Sequence, residues 1–191
     1  QMKVELKHLQ KAFGTTFAYI THDQSEAMVM SDQVAVMRAG RFEQVASPEQ
    51  LYREPATPFV AGFVGDNNRL SGELVGLDAG LADVRLPDGT RVRGRLAGEA
   101  PAKGAPVALF VRPEALVLAG EALRPDYATV RTEVRTTLFD GANSRVEVRH
   151  GDQTLYARLP QDGSAPRLTE GSTLYLAWDP ALARVFALGE P

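Results

Sequence analysis

Between Met2 and Phe13 the apolar residues Met2, Leu6, Leu9 and Phe13 recur at the spacing of one helix face, and Gly14 stands where such a helix would end. The period then changes. Phe17 to Thr21 is an apolar, β-branched run that reads as a strand, a second helix opens near Asp23, and Val34-Ala35-Val36-Met37 reads as a buried strand. Arg38-Ala39-Gly40-Arg41 then turns the chain into Phe42 to Val45. Two short helices are announced by their caps: Ser47-Pro48-Glu49-Gln50 has the form of a capping box with proline in the first turn, and Thr57-Pro58 repeats the cap-then-proline start.

After Gly65-Asp66-Asn67-Asn68 the helical period disappears and short runs of alternating polarity take over, punctuated by Gly, Asp and Pro. Leu81 to Leu86 and Thr90 to Leu96 flank Asp88-Gly89, the turn dipeptide that best matches strand twist. Val107 to Val111, Thr129 to Leu138, Arg145 to His150, Gln153 to Leu159, Thr173 to Trp178 and Arg184 to Leu188 have the same texture. So many short strands predict a small barrel or sandwich. Ala97 to Pro106 reads as an exposed connection that could divide the β region into two halves, and no internal repeat is legible beyond the succession of hairpins.

Composition narrows the function classes. With 44% hydrophobic and 24% charged residues the chain has the balance of a folded protein, and a net charge of −3 with interspersed signs argues against nucleic acid as a partner. No apolar run approaches the ~20 residues that cross a bilayer. Gln1-Met2-Lys3-Val4-Glu5 lacks the apolar core of a secretory signal, so a cytoplasmic location is expected. Cysteine is absent, and His8, His22 and His150 show no paired ligand spacing, so no metal site is expected.

The most informative run is Thr16-Phe17-Ala18-Tyr19-Ile20-Thr21-His22-Asp23-Gln24-Ser25-Glu26-Ala27-Met28, a histidine between a strand-like run and an acid-capped helix. Strand-to-helix junctions are where α/β folds hold phosphates. The run closely resembles the histidine switch of ABC-transporter ATPases, in the wording of bacterial importer subunits. Ser31 to Arg41 and Pro55 to Gly65 resemble the end of that ATPase domain. From about Arg69 onward, Leu109-Phe110-Val111-Arg112-Pro113-Glu114 and Tyr175-Leu176-Ala177-Trp178-Asp179-Pro180 resemble the transport-associated OB domain, TOBE.

The resemblance implies an α/β remnant of an ABC ATPase domain over residues 1–68, followed by an all-β OB-like barrel, the TOBE domain, over residues 69–191. It implies that His22 acts at the γ-phosphate in the intact ATPase, with Asp23 a helix cap and Glu26 completing a box-like arrangement. ATP and Mg are expected for the intact parent and no cofactor for this chain alone. The chain has no G-x-x-x-x-G-K-[ST] to cradle phosphates, so it is expected to be inactive by itself. Leu70-Ser71-Gly72-Glu73 superficially matches a transporter signature but follows the histidine, and is read as a decoy. The implied partners are importer permease subunits at the inner face of the plasma membrane, a second ATPase subunit in a homodimer and a small regulatory solute. The wording is most similar to the polyamine (spermidine/putrescine) branch, with ferric iron, sulfate and sugar importers as near relatives. The competing reading is a stand-alone OB-like module that binds a small oxyanion or mediates dimer assembly. Arg131, Arg135, Arg145, Arg149 and Arg158, spaced to share strand faces, form either a solvated face or an anion site.

Overall fold

The computed structural model describes residues 2–119, 126–161 and 168–189. Two units divide the chain, Gln1–Gly65 and Asp66–Pro191.

In the first unit, α1 (Met2–Phe13) ends at Gly14, whose φ of +60° is the left-handed conformation that closes a helix most easily when there is no Cβ. The expected strand from Phe17 to Thr21 does not form: the segment is irregular and Ile20 is 97% exposed. A β-branched run becomes a strand only where neighbouring strands take its N–H and C=O groups. The β-sheet among the described residues of this unit is a two-stranded hairpin, β1 (Val34–Arg38) with β2 (Arg41–Ala46). The same lack of cover corrects the reading of β1 as a buried strand, since Val36 is its one buried residue and Met37 is exposed. Ala39 and Gly40, both at positive φ, make the hairpin turn.

Helix α2 (Gln24–Met30) precedes the hairpin; α3 (Pro48–Arg53) and α4 (Pro58–Phe63) follow it, and a small core of Val36, Leu51, Val60 and Val64 holds the unit. Both predicted caps are present. Ser47 and Gln50 form the reciprocal box, and Thr57 Oγ1 accepts from Val60 N at 3.2 Å.

The second unit contains two β assemblies with the same plan. A closed barrel runs β12-β5-β4-β3-β6, formed by β3 (Asn68–Asp78), β4 (Leu81–Arg85), β5 (Arg91–Ala97), β6 (Pro106–Val111) and β12 (Arg184–Ala187). A five-stranded sheet runs β10-β9-β8-β11-β7, formed by β7 (Val117–Ala119), β8 (Ala128–Phe139), β9 (Asn143–His150), β10 (Gln153–Pro160) and β11 (Thr173–Trp178). Each assembly consists of four consecutive strands and a fifth supplied by the other half. β6 leaves the barrel through a 3-10 turn, Pro113–Ala115, and its continuation β7 pairs with β11. β11 leaves the sheet through Pro180–Leu182, and its continuation β12 closes the barrel, parallel to β5 and antiparallel to β6. The halves therefore exchange their last strands. This corrects two expectations. A structural repeat does exist, and the division falls after β7, not in the connection from Ala97 to Pro106, which is tied back to β3 by Leu74 N to Ala105 O at 3.0 Å and Gly104 N to Leu74 O at 2.7 Å.

Exchange produces one continuous core. Leu70, Val84, Val92, Leu109 and Val185 of the barrel join Val130, Val148, Leu155 and Trp178 of the sheet. The β4–β5 turn is longer than Asp88-Gly89 alone predicts. Gly89 N donates to Leu86 O at 2.9 Å and Leu86 N to Thr90 O at 2.8 Å, so Pro87 and Asp88 form the corner and Gly89, at φ +87°, is the left-handed residue that rejoins the ladder.

Gly72, the glycine of the decoy signature, lies within β3, where a Cβ would sit 2.5 Å from Arg85 O and 2.8 Å from Val84 Cγ1. Its structural duty is to let β4 approach. Gly72→Ala is expected to cost about 1–3 kcal/mol, because the obstacle includes backbone. Chemical denaturation checks this, and an unchanged midpoint would contradict the close approach.

Candidate functional site

His22 sits on a short loop whose conformation is set by its neighbours. Asp23 caps α2: its Oδ1 accepts from Ser25 N at 2.8 Å, Glu26 N at 3.2 Å and Ser25 Oγ at 2.7 Å. The box-like arrangement expected of Glu26 is not the one present. The Asp23 N–H donates to Thr21 Oγ1 at 3.0 Å, while Glu26 Oε2 accepts from Thr21 Oγ1 at 3.2 Å and Tyr19 OH at 3.0 Å. Thr21 thus takes the place Glu26 would have had, and Glu26 fastens the preceding segment to the helix. His22 is left exposed at the crest of the loop. The helix is tied to the end of its unit by Gly65 N, which donates to Gln24 Oε1 at 2.9 Å.

These residues do not fit a complete nucleotide site. The loop offers one imidazole to a phosphate, but no Gly-rich cradle exists in the chain, and among the described residues no three His, Asp or Glu side chains come together as metal ligands. His8 lies on α1 and His150 in the second unit.

The β unit brings the five sequence-selected arginines to the exposed side of its sheet: Arg131 and Arg135 on β8, Arg145 and Arg149 on β9, Arg158 on β10. Their charges are largely answered there. Arg145 and Arg158 stand directly opposite one another, a repulsive register, and both reach Asp66 Oδ2, at 3.6 and 4.0 Å. Arg145 also stacks 4.1 Å from the centre of the Tyr156 ring. Arg135 pairs with Glu133 at 3.1 Å and Arg149 with Asp152 at 3.7 Å. Three carboxylates thus answer four of these arginines on a solvent-exposed face.

Sequence reasoning missed Asn68. It is 2% exposed, and its carboxamide imitates a strand: Nδ2 donates to Tyr156 O at 2.8 Å, and Oδ1 accepts from Tyr156 N at 2.7 Å. The outer edge of β10 is thereby satisfied at that position. Beside it Arg112, 8% exposed, donates from Nη1 to Asp66 O at 2.9 Å, so the arginine of Arg-Pro-Glu fixes the backbone that leads into β3. Trp178 is fully buried, with Nε1 donating to Arg93 O at 3.2 Å.

The β unit thus combines a five-stranded OB-like barrel with a five-stranded sheet, and residues 109–186 match the family described as the TOBE domain. Nearly the whole chain is similar to proteins named spermidine/putrescine import ATP-binding protein PotA. Over 181 residues it is 37% identical to the spermidine/putrescine import ATP-binding protein PotA of Thermobifida fusca, covering 94% of this chain and 47% of that protein. It is 40% identical over 181 residues to the protein of the same name in Rubrobacter xylanophilus, with the same coverage of 94% and 47%. It is 37% identical to PotA 1 of Pseudomonas aeruginosa over 177 residues, 92% of this chain and 46% of that protein. The chain spans about half the length of the curated relatives it matches. Among solved structures it is similar to the cytoplasmic molybdate-binding protein ModG, with a TM-score of 0.56 over 63% of this chain and 96% of that one. At 16% identity that likeness shows the fold alone.

Asn68→Ala is expected to destabilise the β unit by about 1–3 kcal/mol, because it strips partners from the partly buried N–H and C=O of Tyr156 together. It should also speed exchange of the Tyr156 amide hydrogen. Protection of that amide left unchanged would contradict the strand-like role of Asn68.

Proposed function

We propose that this chain is the C-terminal and regulatory part of the ATP-hydrolysing subunit of an ABC importer, and that the importer takes up polyamines of the spermidine/putrescine class. In this reading residues 1–68 belong to the ATPase domain, residues 69–191 are the regulatory TOBE domain, and the partners are a second ATPase subunit and the permease at the inner face of the membrane. The observation that carries the reading is the continuity of the similarity. Identity of 37–40% runs over 94% of the chain to proteins of that name, including both the histidine loop and the β unit. Among the described residues no helix is long and apolar enough to cross a membrane, which agrees with a subunit that docks on a permease.

His22 is the residue proposed to meet the reacting phosphate in the complete subunit. Its support is local: the Asp23 cap and the Thr21 and Glu26 bonds hold the loop while leaving the imidazole exposed. Binding of nucleotide and Mg is the work of the complete subunit. The alternative, an oxyanion-binding module standing alone, gains little from the arginine face, since Asp66 already occupies the best-placed pair.

In the complete subunit assembled with its permease, His22→Ala is expected to lower ATP turnover by about 10²-fold or more, while ATP affinity changes by less than about threefold. Turnover and equilibrium nucleotide binding measured on the same preparation test the role, and large, equal losses of both would overturn it. Uptake of labelled spermidine by cells with and without the gene tests the substrate class. Uptake indifferent to the gene would overturn that assignment and leave the ATPase assignment standing.

A further inference from the structure

In the run Thr21-His22-Asp23-Gln24 the first three residues build or present the loop, and Gln24 has no task within it. Gln24 is the first residue of α2, and the amides of that turn are already served by Asp23, whose Oδ1 accepts from Ser25 N and Glu26 N. The Gln24 carboxamide can therefore reach outward. Its Oε1 accepts from Gly65 N at 2.9 Å, across 41 positions of sequence and within the same unit.

Both ends of this bond are prepared for it. Gly65 follows Val64, the C-cap of α4, whose N–H closes on Val60 O at 2.9 Å. At φ +66° Gly65 has the left-handed conformation in which a residue just past a helix usually turns its N–H back to the helix carbonyls. Here that N–H goes to Gln24. α2, for its part, has little apolar burial to locate it. None of its seven residues is buried, and Met28 packs only partly buried against the small core. The Lys7–Asp32 pair just beyond the helix is long, at 3.9 Å, and its carboxylate is exposed.

We propose that Gln24 is the positioning residue of the histidine loop: its bond to Gly65 fixes where α2 stands within the first unit, and with it where His22 is held for the reacting phosphate. The proposal rests on the role of His22 given under Proposed function. The shape of the loop does not need Gln24, because the Asp23 cap and the bonds among Thr21, Asp23 and Glu26 close on themselves. Without the tie to Gly65 the loop keeps its form and shifts with α2 as a body. The effect on turnover passes through His22 and leaves nucleotide binding alone.

Turnover and equilibrium ATP binding of the complete subunit assembled with its permease test this in two variants. Gln24→Met fills the same space without an amide acceptor, and Gln24→Glu keeps an oxygen at the same reach. One hydrogen bond biases a placement by a factor of up to about ten, so Gln24→Met is expected to lower turnover by about three- to tenfold, with ATP affinity held within about threefold. Gln24→Glu is expected to keep most of the turnover, and Gln24→Met to add nothing to the loss caused by His22→Ala. Equal losses in the two Gln24 variants, or a loss that multiplies with that of His22→Ala, would overturn the proposal. Turnover lost in His22→Ala but kept in Gln24→Met overturns the positioning role and leaves that of His22 standing; turnover kept in His22→Ala overturns both. Amide hydrogen exchange in this chain reads the tie directly: Gln24→Met is expected to speed exchange at Gly65, and protection left unchanged rejects the tie whatever the turnover.

Discussion

A sheet loses its edges only when its last strand returns to its first, and in this chain the strand that closes the barrel comes from the far end of the sequence. β12 inserts between β5 and β6 after the chain has built the whole of the other half. An open four-stranded remnant would leave the inner edges of β5 and β6 unpaired, exposing both backbone groups and the apolar interior of Leu70, Val92 and Leu109. Closure is thus a long-range event with a large loop-closure cost, met by burial of Val185 and by the ladder on both sides of β12. The reciprocal exchange makes it cooperative. Neither half has a full set of five strands until the other has formed, which is why the core is one cluster.

The second half does not repeat the closure. β7 pairs with β11 but not with β10, so the edge of β10 must be managed otherwise. Asn68 supplies a hydrogen-bond pair there, and Pro160 removes one donor from the strand end. A carboxamide substitutes for a strand because it offers one donor and one acceptor at nearly the peptide spacing. Asp cannot do the same at neutral pH, since it only accepts.

What could be read from the sequence was local. Caps at Ser47 and Thr57, the glycine stop at Gly14 and the alternation of β8 to β10 are decided within a few residues, and all of them are present. What failed depended on partners. Phe17 to Thr21 carries strand residues without strand neighbours, and Glu26 lost its expected capping bond to the nearer Thr21 hydroxyl. The strand exchange left no sign in periodicity. Its only trace is the pair of proline turns after β6 and β11, Arg112-Pro113 and Asp179-Pro180, whose equivalence emerges when the topology is known. For the site, His22 was legible because it lies in a distinctive run. Asn68 was not, because it acts on backbone brought close by folding: Tyr156 is 88 residues from Asn68.

Those long-range bonds also tie the first residues of the β unit to its second half. β3 belongs to the barrel, yet the residues that lead into it are held by the other half: Asn68 by β10, and the Asp66 carboxylate by Arg145 and Arg158. Magnitude separates these contacts. The Asp66 pairs are half exposed and long, so each contributes about 0–1 kcal/mol, whereas the Asn68 side chain is buried, and losing its pair would strip the partly buried Tyr156 peptide of both partners at a cost of about 1–3 kcal/mol. Asn68 is therefore the stiff link and Asp66 the yielding one. Any shift of β10 relative to the barrel must move the backbone at Asn68 or break its pair. Arg112, at the end of β6, holds the Asp66 carbonyl at the start of the same unit. The two halves are thus joined at the first residues of the β unit by Asp66 and Asn68, as well as by the exchanged strands.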